Sequence, residues 1–148
     1  VLYSVIELCR LYIPAMKEKK SGRIINVTSL TVKQPSDNLI ISNTMRAGLT
    51  GLAKSLSNEL APHGITVNNI APGYTLTERI YELAENRAKN AGKSVDVVLA
   101  EMTGSIPAGR MAAPEEPAAL AVFLASAHAS YITGNTIHID GGIIRALW

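Results

Sequence analysis

Three side chains have the types and spacing for chemistry on a small polar molecule: Ser29, Ser42 and Arg46, thirteen and then four residues apart. A serine hydroxyl can donate a hydrogen bond to a polarised carbonyl oxygen. Arg46 offers a permanent positive charge and a planar fork of donors, but it cannot exchange protons. Ser42 is a far weaker acid than a phenol, whose pKa near ~10 a neighbouring cation can lower. The set can therefore orient an oxygen and hold an anion or a sugar hydroxyl, and it lacks an obvious proton donor.

The elements that must position these groups are legible around them. Ile24-Ile25-Asn26-Val27 is a short, β-branched apolar run ending in Thr28-Ser29. Such a run suits a strand buried on both faces of a parallel sheet. A polar loop with Pro35, Ser36, Asp37 and Asn38 follows, and a long helical pattern begins near Ile41. Ser29 then lies at the carboxyl end of a strand, where open α/β sheets place their ligand crevice. The helix puts Ser42 and Arg46 on one face.

This stretch resembles the short-chain dehydrogenase/reductase family, and the likeness runs from Val1 to about Gly142. In that family the serine is followed after thirteen residues by a tyrosine, and four further on by a lysine. Here those positions are Ser42 and Arg46, and no tyrosine-x-x-x-lysine occurs anywhere among the five tyrosines. The flanking Ala47-Gly48 keeps the family register. The resemblance implies that Ser29 orients the substrate carbonyl and that Arg46 holds the nicotinamide ribose. A second landmark is I-T-V-N-N-I-A-P-G-Y-T-L-T, residues 65 to 77. The family places such a strand and Pro-Gly turn against the nicotinamide, which implies cofactor contacts at Pro72, Gly73, Thr75 and Thr77. Tyr74 would stand close to the substrate and is a substitute acid. A plain strand-to-helix turn with Thr77 capping the next helix reads equally from the residues alone. Pro114-Glu115-Glu116 and Y-I-T-G-N-T-I-H-I-D-G-G also match the family's ending.

The implied fold is α/β: the C-terminal part of a doubly wound, Rossmann-type parallel sheet. Three parallel strands are expected near residues 23–29, 65–70 and 136–140, flanked by helices. Residues 1–148 would form one portion of a single domain, since the family's glycine-rich turn for the cofactor pyrophosphate does not occur here. The family's active-site asparagine position falls on Val1. An intact chain would take NAD or NADP and a small carbonyl or alcohol substrate, and the fragment alone is expected to be inactive. Two functional readings follow. One is an NAD(P)-dependent oxidoreductase similar to 3-oxoacyl-carrier-protein reductases, with an atypical site; the other is a silent relative that binds a dinucleotide or acts as an oligomeric scaffold.

Composition narrows the alternatives. The hydrophobic share of 47% and charged share of 18% suit a globular α/β chain. A net charge of +2 without a basic stripe gives no footprint for nucleic acid. Cys9 has no companion for a disulfide or a metal, and no His/Cys/carboxylate cluster has metal spacing. No apolar run spans a bilayer, and a reducing cytoplasm fits. Val1 to Lys20 reads as a helix with Leu2, Val5, Ile6, Cys9, Ile13 and Met16 on its apolar side, and Pro14 should kink or loosen it. The helix after Ser42 shows Met45, Leu49, Leu52, Leu56 and Leu60 on one face and Gly48, Gly51 and Ser55 on another. Two buried faces are expected there, and the resemblance makes this helix part of a homo-oligomer interface, in a dimer or tetramer. Residues 78 to 104 read as two helices broken at Gly92. His138 alternates with Ile137 and Ile139 as a packed or interface histidine.

Overall fold

The computed structural model describes residues 1–147. Eight principal elements follow in order: α1 Leu2–Lys19, β1 Gly22–Val27, α2 Ile40–Leu60, β2 Ile65–Pro72, α3 Glu78–Ala91, α4 Val95–Gly104, α5 Glu115–Ala125 and β3 Thr136–Ile139. The strands form one sheet in the order β1-β2-β3, and both pairings are parallel. Gly22 is opposite Ile65 and Val27 opposite Ile70; Asn69 is opposite Thr136. Parallel neighbours need long crossovers, which α2 supplies for the first pair and α3 to α5 for the second.

β2 is central and buried along Ile65 to Ala71. Its alternating side chains feed two cores. Ile65 and Val67 pack with Ala53 and Leu60 of α2, and with the half-buried Ile13, Met16 and Ile24. On the other face Ile70 meets Leu124 of α5 and Ala129, bordered by Ile25, Ile137 and Ile139. A third cluster joins α3 to α4 through Ile80, Ala84, Val98 and Met102. Gly92 ends α3 at φ 64°, and the Ser94 hydroxyl caps α4 by accepting from Val97 N–H.

Several expectations shift by a residue or two. β1 stops at Val27 and leaves Thr28 and Ser29 beyond it, because the chain turns into a 3-10 turn at Leu30–Val32. β2 continues to Pro72, and β3 ends at Ile139. α1 runs through Pro14 without a break. The six residues expected on its apolar side are half-buried and none is fully buried. On α2, Leu49, Ala53, Ser57 and Leu60 are buried, but Gly48, Gly51 and Ser55 are exposed. Only one face of that helix is buried within this chain; on the small-residue side Leu2 of α1 comes up to Gly48, where a Cβ would stand 3.2 Å from its Cδ2, and nothing lies within 4 Å of a Cβ on Gly51. Thr77 sits at the N-cap of α3 without capping it; its hydroxyl donates to Thr75 O at 3.3 Å instead.

Arg110 donates to both Glu116 oxygens, at 2.7 and 2.8 Å, and Ala113 N–H donates to the same carboxylate at 2.8 Å. The guanidinium contact and then the backbone donor draw Glu116 from its ordinary 4.5 to about 2. Because the folded-state value is the lower one, the contribution is complete above the unfolded value and is lost as pH falls through the folded one. The pair is exposed, so its effect is small. Glu116→Gln is expected to flatten the acid limb of stability between pH 4.5 and about 2 while leaving its shape near neutrality, read as urea midpoints against pH.

Candidate active site

The carboxyl ends of β1 and β2 are tied to α2 through Arg46. Its Nη1 donates to Thr28 O at 2.6 Å, and its Nε donates to Ser42 Oγ at 3.2 Å. Thr28 is itself fixed, since its hydroxyl donates to Ile70 O at 2.9 Å and its N–H to the same carbonyl at 2.8 Å. Ser29 caps the 3-10 turn, its Oγ accepting from Thr31 N–H at 3.2 Å. That bond uses the oxygen and leaves the Ser29 proton free to donate. The Ser42 proton is free for the same reason.

The turn off β2 closes the other side. At Gly73 a Cβ would stand 2.7 Å from Asp140 Cα and 2.9 Å from its Cβ, so only glycine lets the turn pass the end of β3. Gly73 N–H then donates to Ile139 O at 3.0 Å.

Between these edges lies a cleft of about 550 Å³, with Ser29, Arg46, Pro72, Gly73, Thr75 and Thr77 all on its walls. Its lining divides by chemistry. Val27, Ile70, Pro117, Ala118 and Ala121 are apolar, whereas the hydroxyls of Ser29, Thr75 and Thr77 and the guanidinium of Arg46 are hydrogen-bonding groups. No carboxylate lines it among the described residues, and Arg79 adds a second positive charge, paired with Glu82 at 2.9 Å. An apolar wall beside donors is the surface a flat aromatic amide such as nicotinamide requires.

Two sequence candidates stand outside the cleft walls. Ser42 reaches it only through Arg46. Tyr74 lines a separate pocket of about 270 Å³ with Val98 and Met102, where its hydroxyl is 3.5 Å from Arg87 Nη1. Sequence reasoning missed the Thr28 carbonyl that holds Arg46, and it missed Arg79 and the α5 wall. Arg79, two residues beyond Thr77, could have been found from spacing. The α5 residues could not, because they follow about 40 residues later and reach the cleft only through the fold.

A trough of about 420 Å³ between α1 and β1, lined by Val5, Leu8, Tyr12, Ile24 and Val27, has no comparable cluster of hydroxyls. Among the described residues no group of His, Cys, Asp or Glu could hold a metal ion, and no helix is long and apolar enough to cross a membrane.

A family profile described as enoyl-(acyl carrier protein) reductase matches residues 1–144. The chain belongs to the short-chain dehydrogenase/reductase family. Within this reductase family it is similar to the NADPH-dependent reductase BacG of Bacillus subtilis, 41% identical over 132 residues, which are 89% of this chain and 51% of BacG. It is 39% identical over 142 residues to the 3-oxoacyl-[acyl-carrier-protein] reductase FabG of Salmonella typhimurium, covering 96% of this chain and 54% of FabG. The crystal structure of YwfH, an NADPH-dependent reductase involved in bacilysin biosynthesis, superposes with a TM-score of 0.92 at 37% identity. That match covers 99% of this chain and 56% of YwfH. The chain thus spans about half the length of the curated relatives it matches.

Proposed function

We propose that these residues are the C-terminal, nicotinamide-facing part of a short-chain oxidoreductase that interconverts a carbonyl and a hydroxyl group with NAD or NADP. The observation that carries this reading is the single cleft that gathers Ser29, Arg46, Pro72-Gly73, Thr75 and Thr77. The NADPH-dependent reductases among its relatives support the cofactor class. When bound, the cofactor supplies a hydride; this chain's residues supply the rest. Arg46 holds the ribose, and Thr75 and Thr77 offer hydroxyls to the carboxamide. Ser29 donates its free proton to the substrate oxygen. Water replaces that proton, and Ser42 positions Arg46 by accepting from its Nε. A 3-oxoacyl thioester is the preferred substrate class, on the likeness to FabG.

The test is NAD(P)H consumption by the full-length protein over a panel of ketones and 3-oxoacyl thioesters. Ser29→Ala is expected to lower kcat on the order of 10²-fold, the usual loss for one positioned oxyanion donor. An unchanged rate in that variant would overturn the role given to Ser29.

A specific observation favours a second reading, a silent dinucleotide-binding or scaffold protein. Arg46 spends two donors on Thr28 and Ser42, which makes it a brace between α2 and β1 as well as a ligand for the ribose. Both readings include a homo-oligomer in the cytoplasm. Support for assembly comes from exposed apolar side chains on α1, where Tyr3 is 75% and Leu11 66% accessible, and from the exposed Gly51 and Ser55 of α2.

A further inference from the structure

Away from the cleft, Lys33, Lys54 and His138 converge on a pocket of about 450 Å³ that shares no residue with it. Lys33 ends the 3-10 turn after β1, Lys54 stands on α2, and His138 lies in β3. The turn before β3 forms the floor. Gly134 there has φ 71°, and a Cβ on it would sit 2.8 Å from Lys54 Nζ and 2.6 Å from Ser57 Oγ. The bare backbone is what leaves space for the ammonium.

The pocket's charge is one-sided. No carboxylate lines it, and neither lysine takes part in an ion pair among the described residues. Thr136 Oγ1 accepts from Asn69 Nδ2 at 3.1 Å, so its proton remains available to a ligand. His138 Nε2 is buried with no hydrogen-bond partner. A buried polar atom of this kind is costly until it is satisfied. Two ammonium groups and one free hydroxyl proton line the pocket, and its side-chain acceptors, the Asn135 amide oxygen and the Thr50 hydroxyl, are neutral.

We infer that this pocket binds a phosphate group, as inorganic phosphate or a phosphomonoester. A phosphomonoester carries a charge of about −1.5 to −2 near pH 7 and three strong acceptor oxygens, which suits two cations and a hydroxyl held at separate points. A carboxylate has one charge and two oxygens and leaves a lysine unmatched.

The experiment titrates inorganic phosphate, glycerol phosphate and acetate, at matched ionic strength, into the full-length protein. Calorimetry gives the affinity, and backbone amide shifts give the place. Saturable binding of a phosphate species, with shifts at Gly134, Asn135 and Thr136, is expected, and acetate should not saturate. Lys54→Ala and Lys33→Gln should each weaken binding about tenfold, the usual scale for one charge-assisted hydrogen bond. Lys54→Arg should retain it within a few fold, and Arg46→Ala should not alter it. Should Lys54→Ala fail to fold, Lys33→Gln at an exposed turn carries the test. Tighter glycerol phosphate identifies a phosphomonoester ligand, and tighter phosphate the free ion. Equal binding of acetate, shifts confined to Ser29 and Thr75, or full affinity in both lysine variants would overturn the proposal.

Discussion

Replacing Ser42 with tyrosine and Arg46 with lysine together is expected to raise carbonyl reduction by the full-length protein on the order of 10²- to 10⁴-fold, the range for a positioned general acid. Each replacement alone should do little. A phenol without the ammonium keeps a pKa near ~10, and an ammonium without the phenol has nothing to tune. The geometry adds a reason for non-additivity, because Arg46 Nε donates to Ser42 Oγ and the two positions act as one unit. The measurement is NAD(P)H consumption by the original protein and the three variants. A double variant that binds cofactor yet stays inert would count for the scaffold reading. Tyr74→Phe is the complementary arm: if it abolishes activity in the original protein, the proton comes from the neighbouring pocket and the assignment to Ser29 and water fails.

Asn69→Leu is expected to cost ~2–4 kcal/mol of stability, the penalty for stranding buried polar partners. Asn26 Nδ2 donates to Asn69 Oδ1 at 3.0 Å, and Asn69 Nδ2 donates to Thr136 Oγ1 at 3.1 Å. A side-chain relay thus crosses all three strands in register. Removing its centre leaves the Asn26 amide buried and without its acceptor. Leucine at both 26 and 69 should recover part of the loss, because the pair is then removed together. Urea unfolding of the single and double variants decides it, and a double variant as costly as two independent losses would show that the relay is not a unit.

Most of the framework was legible because its signals are local. The β-branched run at Ile24-Ile25, the Pro72-Gly73 turn and the Gly92 break each specify backbone over a few residues, and the elements lie there. Ser29 and Arg46 could be paired from sequence because strand, loop and helix fix where they meet. Tyr74 could not be placed, since its neighbour in sequence, Thr75, enters the cleft while Tyr74 itself turns to α4. One residue in a turn reverses a side chain, and no periodicity governs turns. The Asn26-Asn69-Thr136 relay stayed hidden for a different reason: two asparagines in an apolar strand announce a polar partner without naming it. That the small-residue side of α2 is covered within this chain only where Leu2 meets Gly48 was not legible, because small residues suit a face closed by a partner and an uncovered one alike.

Strand pairing here is entirely long-range, and this bears on how the chain is made. β2 can join β1 as soon as Pro72 has left the ribosome, but its other edge must await Thr136. The 67 residues from Asn69 to Thr136 take roughly 3–13 s to synthesise at about 5–20 residues per second. Throughout that interval the nascent chain displays Asn69 and Ile70 on an unpaired parallel edge, the kind of surface that invites intermolecular pairing. Slowing translation between α3 and β3 would lengthen that exposure.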